Sequence, residues 1–414
     1  MDIKARIEAA NAEATRRMTS ADPVLIDVAP AGQVVPGLQD RMVLHSGPPV
    51  TWATMCGAQR GACLAMAIFE GWAKDAQEAS HLYEAGAIRL EPNHHHQAVG
   101  PMAGTITKSL PVFVVENRAF GNRACCRWAE GRQQFGDYGD EALAGLRLWR
   151  DVWGPSLSRA LSRTGGLHLK PLMVKALHMG DELHNRNNAA SKLMALELAP
   201  ALIEAGVERQ PLMSTLQWLS ADDFSFLGVS MAAGKAAAQP AEGVERSTVV
   251  TVMARNGTEF GIQVSGLPGE WFTAPAPRIE GLLVPGFTDA DAGRDMGDSA
   301  ITETVGLGGF VIGGAPGILS LVGGTPEQAL AYSREMRRIT VAASPDYRVP
   351  ALGFQGAPVG IDIRKVVQTG VLPVIDTAIA HKAPGFPNIG AGIVRPPMEC
   401  FARALKRFAQ RYLS

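Results

Sequence analysis

The chain has 414 residues, of which 46% are hydrophobic and 19% are charged, with a formal net charge of −1. This length favours two or three domains, each large enough to bury its own core. The balanced charge gives no electrostatic reason to expect nucleic acid or an anionic membrane surface as a partner. The five cysteines lack C-x-x-C spacing, which disfavours a disulfide framework and a tetrathiolate zinc site. The first 18 residues contain no apolar signal-peptide core, so we expect a cytoplasmic protein.

Residues 1–135 alternate between helical and strand patterns, which predicts an N-terminal α/β domain. An apolar, β-branched run at residues 111–115 predicts a buried strand, and Asp75 is a candidate helix N-cap. The predicted elements are helices at residues 1–20, 58–73 and 75–83, and strands at residues 23–28, 42–45, 87–90 and 111–115.

Residues 136–245 are predicted to form an all-α domain, because their periodicity is helical and the helix ends carry capping signals. Pro200 interrupts the apolar face that Met194, Leu198 and Leu202 form, so we expect the helix to kink or restart there.

Residues 246–414 are predicted to form a C-terminal α/β domain with Gly-rich turns, because β-branched runs return in this part. The pair Asn256-Gly257 between two such runs predicts a hairpin, and helices are predicted at residues 326–338 and 396–412. The fold class is therefore α/β (α+β), with two α/β domains and a helical domain inserted between them.

Residues 305–324 carry no charge and are long enough to span a bilayer. They contain eight glycines and Pro316, which disfavour a lone membrane helix. We therefore expect buried turns and short elements here, and no membrane segment.

Three adjacent histidines, His94, His95 and His96, lie on a loop before the strand at residues 111–115. Neighbouring histidines on a loop point in different directions, whereas a metal site needs spacings such as H-x-H that bring ring nitrogens together. We therefore assign no metal and no cofactor. A structural role, a metal site and a role as donor to a carbonyl or phosphate oxygen remain open for this loop.

Residues 181–188 form a second polar segment. If a helix begins after Gly180, then Asp181, His184 and Asn188 share one helix face. A carboxylate in that position can orient an imidazole for proton transfer. The alternative is a solvated helix start that Asp181 caps.

Polar residues of the C-terminal part are candidate anion ligands. Ser299, Thr302 and Thr304 precede Gly308, and hydroxyls followed by glycines can present backbone N–H groups to an oxyanion. The spacing fits neither a Walker A motif nor G-x-G-x-x-G, and tight turns packed against a sheet are the alternative.

His381 and Lys382 begin a long loop that continues to residue 392, and such loops are often functional. Arg255 with Asn256, and Asp362 with Arg364, could complete an anion pocket, and ordinary surface ion pairing is the alternative for these residues. Asn117 and Arg123 are further candidate ligands.

Sequence motifs along essentially the whole chain are specific for one protein family when they are taken together. They are HSGPP at 45–49, FEGWAKD at 69–75, HHHQAVGPMAG at 94–104, VVEN at 114–117, GNRA at 121–124, MGDELHNRN at 179–187, ARNGTEFGIQVSG at 254–266, WFTAP at 271–275, MGDSAITETVGLGG at 296–309, FQGAPVGIDIRKVV at 354–367 and IAHKAPGFPNIGAG at 379–392. Together they resemble the YlbE-like family, which includes the AllG subunit of the oxamate carbamoyltransferase of allantoin breakdown.

This resemblance implies two α/β parts with a helical domain between or beside them. It also implies phosphorolysis of oxalurate to oxamate and carbamoyl phosphate, performed together with separate partner subunits. We accordingly expect a small anionic substrate and a homo-oligomer. The chain lacks the Ser-Thr-Arg-Thr-Arg phosphate motif of aspartate and ornithine carbamoyltransferases, and the resemblance supplies no catalytic residue.

Roles are therefore assigned from chemistry alone. Such a reaction needs a donor to the carbamoyl oxygen and cations or N–H groups for phosphate and carboxylate. We assign carbonyl polarisation to His94 or His95, and proton transfer to Asp181 with His184. Carboxylate recognition is assigned to Arg123 or Arg255, beside Asn117 and Asn256. The residues assigned to phosphate binding are Ser299, Thr302, Thr304 and Gly308, with His381 and Lys382.

Two other functions remain open. The first is a metal-assisted amide hydrolase that uses the histidines. The second is a non-catalytic scaffold subunit that completes the active site of a partner.

Overall fold

The structure is a computed structural model that describes residues 2–413. Its fold is mixed α+β, as the sequence predicted. The helices are α1 (Ile3–Thr19), α2 (Ala31–Val34), α3 (Gly57–Phe69), α4 (Ala76–Glu84), α5 (Asp140–Leu148), α6 (Gly154–Thr164), α7 (Leu169–His178), α8 (Asn188–Glu204), α9 (Arg209–Ala221), α10 (Leu227–Ala238), α11 (Ile301–Thr304), α12 (Leu319–Val322), α13 (Pro326–Met336), α14 (Ile363–Thr369) and α15 (Met398–Tyr412). The strands are β1 (Pro23–Pro30), β2 (Met42–His45), β3 (Arg89–Pro92), β4 (Ala98–Val99), β5 (Pro111–Asn117), β6 (Asn122–Arg127), β7 (Leu167–His168), β8 (Val250–Asn256), β9 (Glu259–Val264), β10 (Leu267–Pro275), β11 (Glu280–Leu283), β12 (Met296–Gly297), β13 (Thr340–Val349), β14 (Gln355–Ile361), β15 (Ile375–Ala380) and β16 (Asn388–Val394).

The N-terminal sheet has the strand order β4-β6-β5-β1-β7. The apolar run predicted as a buried strand is β5, which lies in the middle of the sheet between its antiparallel neighbours β1 and β6. Helix α10 packs on this sheet and is buried over its whole length. Gly228 permits this close approach, because a Cβ there would lie 2.5 Å from the carbonyl oxygen of Arg127. This close contact fixes the position of α10 on the N-terminal sheet.

The helical segment shares its core with the rest of the chain. Strand β7, which lies inside residues 136–245, pairs with β1 of the N-terminal sheet. One hydrophobic cluster includes residues from Ala14 to Val359. Other clusters stay within one part, since one contains Ile7 and residues from Val250 to Phe408 and another runs from Ala29 to Cys125. The division into residues 1–135, 136–245 and 246–414 therefore stays a prediction, and the helical segment shares its core with both neighbouring parts.

The C-terminal part contains sheets in the orders β10-β9-β8-β12 and β11-β16-β15 and the strand pair β13-β14. The predicted hairpin is confirmed as β8 and β9, with Gly257 at a φ of +77° in its turn. Helix α13 begins at Pro326, as predicted, and Thr325 and Gln328 form a capping box at its start. Residues 305–324 form short turns and α12, and none of the described helices combines the length and apolarity needed to cross a bilayer.

One helix expectation was wrong. No helix follows Gly180, because the carboxylate of Glu182 accepts the backbone N–H groups of Asn185 and Arg186, and these bonds hold residues 181–187 in an irregular conformation. Helix α8 continues through Pro200, so the helix does not restart there. The carbonyl that loses its donor there belongs to Leu196, which is 72% exposed and can be hydrated.

Candidate functional site

A cavity of about 560 Å³ lies where the N-terminal loops, the helical segment and the C-terminal sheets meet. Its wall is largely aromatic and its floor is polar, which is the usual composition of a small-molecule site. The wall includes Trp128, Phe135, Trp153, Trp218 and Phe224. The floor includes His184, Asn185, Ser299, Thr377 and Asn388.

The tryptophan wall is rigidly packed. Trp153 and Trp218 stack with ring centroids 5.2 Å apart, and Trp128 meets both edge-on. Asp222 accepts hydrogen bonds from Nε1 of Trp128 at 2.8 Å and of Trp218 at 3.0 Å. Because two indoles share one half-buried carboxylate, the wall has little freedom to collapse into the cavity.

A cluster of buried acid and imidazole groups lies behind the cavity floor, and His184 is its member that lines the cavity. Nδ1 of His184 is 2.7 Å from Oε1 of Glu303 and 3.5 Å from Oδ1 of Asp376. The three side chains are at most 3% exposed. Among the described residues, no N–H or alcohol group donates to either carboxylate oxygen of Asp376. We call His184, Glu303 and Asp376 the acid–imidazole cluster.

Burial controls the charge of this cluster. It raises the pKa of Glu303 to about 7 and that of Asp376 to about 7, although His184 opposes the shift at Asp376. Burial also raises the pKa of Glu182, which lies against Asp376, well above its ordinary value. The pKa of His184 falls to about 4 for the same reason, so its imidazole is neutral at pH 7.

Tight backbone turns hold the cluster together. Glu303 in α11 accepts hydrogen bonds from the N–H of Gly309 and from Oγ1 of Thr302, each at 3.0 Å. Gly308 has a φ of +57°, and a Cβ there would lie 2.1 Å from Oε1 of Glu303. Only glycine therefore fits between Glu303 and His184 in this turn.

Substitution of Gly308 by alanine is expected to lower the free energy of unfolding by about 2–3 kcal/mol, because it adds a steric clash to the cost of a left-handed φ. Gly353 is a matched control, since its φ is +65° and a Cβ there would have no other atom within 4 Å. Gly353→Ala should show only the backbone cost of about 1 kcal/mol. Equal losses in urea unfolding of the two variants would contradict the close packing around Glu303.

Arg255 lies behind the cavity floor. Its guanidinium donates to Asp295 at 2.8 Å, to the carbonyl oxygen of Gly297 at 2.9 Å and to Oγ1 of Thr377 at 3.0 Å. A longer contact of 3.4 Å reaches Oγ of Ser299. Because the hydroxyl of Thr377 accepts from a cation, its own hydrogen is free to donate to a ligand in the cavity.

The triple-histidine loop lies outside the large cavity. His94 is buried with Nε2 at 3.5 Å from Oδ1 of Asp298, and burial lowers its pKa well below the ordinary value. Asp298 accepts the N–H groups of Gly47 and Gly100, and burial raises its pKa to about 7. His95 accepts a hydrogen bond from Nε1 of Trp271 at 3.0 Å. The loop thus packs the N-terminal part against the C-terminal sheet.

Other predicted ligands also have structural partners. Arg123 forms an exposed ion pair with Glu116, and Asn117 joins the N-terminal sheet to α10 by donating to the carbonyl oxygen of Ala236. Asn256 accepts two backbone N–H groups of its own hairpin turn. Thr304 donates to the carbonyl oxygen of Ala300. These four residues do not line the cavity.

His381 and Lys382 line a different cavity of about 400 Å³, together with Arg278 and Arg294. Nζ of Lys382 donates to the carbonyl oxygen of Ala290 at 2.6 Å. The imidazole of His381 stacks on Phe386 with ring centroids 3.7 Å apart. The structure therefore does not gather all of the predicted cations and imidazoles into one cleft.

The expected partnership between Asp181 and His184 is replaced. Oδ2 of Asp181 accepts the N–H of Ala190, and burial raises the pKa of Asp181 to about 6. Because residues 181–187 are not helical, the three-residue spacing does not bring the carboxylate beside the imidazole. The carboxylate partner of His184 is Glu303, which the sequence reasoning did not select.

Of the predicted residues, His184, Ser299, Thr302 and Gly308 lie in or against the cavity floor, with Arg255 behind it. The reasoning also missed Asp376 and the tryptophan wall. One signal was present for Asp376, since it is a lone carboxylate inside the apolar strand β15. No pattern marked the tryptophans, which come from distant segments.

The chain is similar to known proteins over its whole length. A family model described as oxamate carbamoyltransferase subunit AllG matches residues 88–299. The oxamate carbamoyltransferase subunit AllG of Escherichia coli (strain K12) is 44% identical over 407 residues, which are 97% of each chain. The uncharacterized protein YahG of the same organism is 46% identical over 410 residues, 98% of this chain and 87% of that protein. A crystal structure of a conserved protein of unknown function from Enterococcus faecalis V583 has 43% identity and a TM-score of 0.97, with 99% of each chain covered.

Proposed function

The chain belongs to the AllG family of oxamate carbamoyltransferase subunits, and we propose that it is the subunit of such an enzyme whose large cavity binds the carbamoyl-bearing substrate. The proposed reaction is the phosphorolysis of oxalurate to oxamate and carbamoyl phosphate, together with partner subunits, in purine or allantoin breakdown or a related breakdown of amide nitrogen. The homo-oligomer and the cytoplasmic location expected from the sequence are part of this proposal.

The reaction sets clear demands on the site. A phosphate oxygen forms a bond to the carbamoyl carbon, and the bond from that carbon to the oxamate nitrogen breaks. The proton of the phosphate moves to the departing nitrogen. A donor that stabilises the negative carbamoyl oxygen in the transition state therefore contributes most to the rate.

The cavity floor supplies such donors. The hydroxyls of Ser299 and Thr377 line the cavity, as does Asn185, whose Nδ2 has no hydrogen-bond partner among the described residues. The imidazole of His184 is neutral at pH 7. When the carboxyl group of Glu303 is protonated, that group can donate a hydrogen bond to Nδ1 of His184, and Nε2 of His184 then carries the ring proton and can donate to a ligand. We assign polarisation of the carbamoyl oxygen to His184 in place of His94 or His95.

One observation carries the proposal: the match to the AllG subunit covers 97% of both chains at 44% identity. A match of this extent includes every segment that forms the cavity. Its volume of about 560 Å³ lies inside the range of about 300–1,000 Å³ that is usual for small-molecule sites, and its flat indole walls suit a planar amide.

The lining also favours a shared site as a second candidate function. No lysine or arginine is among the described residues that line the cavity, yet phosphate and oxalurate are both anions. The missing positive charge can come from a partner subunit, in which case this chain holds the substrate and the partner completes the active site. The metal-assisted amide hydrolase that the sequence left open would instead release ammonia or carbon dioxide without consuming phosphate.

Thr377→Val tests the cavity as the substrate site. In the complex with the partner subunits, this variant is expected to raise the KM for oxalurate by about 10- to 100-fold, because it removes a hydrogen bond to a charged substrate. The matched control is Thr304→Val, which removes an equally buried hydroxyl that does not line the cavity. Phosphorolysis is measured as carbamoyl phosphate formed from oxalurate and phosphate.

Two results would contradict the proposal. One is a complex of this chain with its partner subunits that forms no carbamoyl phosphate from oxalurate. The other is an equal KM for Thr377→Val and Thr304→Val, which would place the substrate elsewhere. Activity of the chain without partners would exclude the shared-site candidate.

A further inference from the structure

The acid–imidazole cluster and its surroundings contain more buried carboxyl groups than free cations that could neutralise them. Glu303 and Asp376 are each fully buried, and Glu182 is buried against Asp376. Arg255, whose charge acts on His184 and Glu303, is already paired with Asp295 at 2.8 Å. Buried carboxylates are normally paired with a cation or bound to a metal, because isolated charges are costly to bury.

Asp376 gives a second and independent indication of a missing ligand. It is fully buried, and both of its carboxylate oxygens lack an N–H or alcohol donor among the described residues. A carboxylate that serves only the fold would be expected to accept at least one hydrogen bond. The polar groups beside these oxygens are the carboxyl groups of Glu182 and Glu303, which can donate only when they are protonated, and Nδ1 of His184, which lies 3.5 Å from Oδ1.

We propose that His184, Glu303 and Asp376 bind a divalent transition-metal cation, Zn²⁺ or Mn²⁺, at the floor of the large cavity. The ligand atoms of the three residues lie within 4.8 Å of one another. Metal–ligand bonds of about 2.1 Å at a tetrahedral angle place two ligand atoms about 3.4 Å apart. The His184–Glu303 and His184–Asp376 separations of 2.7 Å and 3.5 Å are close to this value, so small side-chain rotations suffice.

The ligand types decide the class of metal. One imidazole nitrogen with carboxylate oxygens suits Zn²⁺, Mn²⁺ or Fe²⁺, whereas Mg²⁺ and Ca²⁺ prefer oxygen ligands alone. Supporting contacts are also present. The N–H of Gly309 and the hydroxyl of Thr302 fix Glu303, and backbone N–H groups fix Glu182 beside Asp376. Such outer contacts orient the ligands of metal sites.

The position of the site suggests its use, and this step rests on the proposed function. Of the three proposed ligands, His184 is the one that lines the cavity, and its Nδ1 faces Glu303 and Asp376, so a bound ion would lie directly behind its imidazole. A dication there would add the positive charge that the lining lacks and, bound to Nδ1, would leave Nε2–H of His184 to polarise the carbamoyl oxygen. No sequence pattern indicated this site, because its ligands come from α11, β15 and an irregular segment and have no characteristic spacing.

The test measures binding in the absence of turnover. The purified chain is stripped with a chelator and titrated with Zn²⁺ and with Mn²⁺ by calorimetry, with Mg²⁺ as a comparison, and thermal unfolding is recorded with and without each ion. We expect one equivalent of Zn²⁺ or Mn²⁺ to bind and to raise the unfolding temperature. Asp376→Asn should weaken the affinity by at least about tenfold, since loss of a metal ligand costs more than loss of an outer contact.

The matched control is Asp40→Asn, which removes a carboxylate that is 89% exposed and is paired with Lys108. It should bind the metal as the wild type does. Metal-free Asp376→Asn should be at least as stable as metal-free wild type, because the substitution removes a buried charge that has no donor. Loss of metal binding in this variant therefore cannot be attributed to unfolding.

The proposal is overturned if metal-free wild type binds neither Zn²⁺ nor Mn²⁺, or if Asp376→Asn binds them as tightly as Asp40→Asn. If the complex binds the metal but does not phosphorolyse oxalurate, the metal site is supported and the proposed function is wrong. Full phosphorolysis by a metal-free complex would keep the function and remove the catalytic use of the metal.

Discussion

Replacement of His184 by alanine is expected to lower kcat/KM for oxalurate phosphorolysis in the complex with partner subunits by at least about a hundredfold. The reason is its position, since His184 both lines the cavity and contacts Glu303 and Asp376. Its loss removes the proposed donor to the carbamoyl oxygen and breaks the acid–imidazole cluster. The measurement is the rate of carbamoyl phosphate formation at several oxalurate concentrations.

The matched control is His178→Ala, which removes an exposed imidazole from the end of α7. This variant should retain wild-type turnover within about twofold, because surface substitutions rarely affect a distant site. Wild-type turnover by His184→Ala would remove the cavity floor from the mechanism. A large loss in Lys382→Ala, with His184→Ala unaffected, would instead place the reaction in the second cavity of about 400 Å³.

Replacement of Arg255 by methionine is expected to lower the free energy of unfolding by about 3–5 kcal/mol, because it leaves the carboxylate of Asp295 buried without its cation. Both side chains of this ion pair are 0% exposed. The substitution also removes the donors to Gly297 and Thr377, which adds unsatisfied groups behind the cavity floor. Urea unfolding of the purified chain measures the loss.

Arg123→Met is the matched control, because its ion pair with Glu116 has side chains that are 59% and 26% exposed. Water hydrates and screens such a pair, so its loss should cost no more than about 1 kcal/mol. The double variant Arg255→Met with Asp295→Leu should recover much of the lost stability, since it removes the unpaired charge. Equal destabilisation by Arg255→Met and Arg123→Met would contradict the burial of the Arg255–Asp295 pair.

Arg123 and Arg255 show that the burial of a charged side chain could not be predicted from the sequence. Both were candidate carboxylate ligands, and each has polar neighbours in the sequence. In the structure Arg123 is a surface residue, whereas Arg255 is fully buried and acts on the cavity through Thr377. Burial depends on which elements pack against a strand, and the local sequence does not contain that information.

Local patterns were sufficient where the interaction itself is local. The central strand β5 follows from its apolar run, and the hairpin of β8 and β9 follows from Asn256-Gly257. The predicted start of α13 at residue 326 is also correct, and the structure shows a local cause, because Thr325 and Gln328, three residues apart, form a capping box there. Segment resemblance over the whole chain likewise identified the family, which the full-length similarity to AllG supports.

The sequence by itself therefore determined the central strand β5, the hairpin of β8 and β9 and the start of α13, because each depends on side chains that are neighbours in the chain. Its motifs together also identified the family. Only the tertiary structure decided the acid–imidazole cluster. His184 and Glu303 are 119 positions apart, and Asp376 comes from a third segment. Distant segments also hold the irregular backbone around His184, because Oγ of Ser230 donates to the carbonyl oxygen of Leu183 and the N–H of Gly308 donates to that of Glu182. Long-range contacts of this kind override local helix propensity, and they also place the imidazole at the cavity floor.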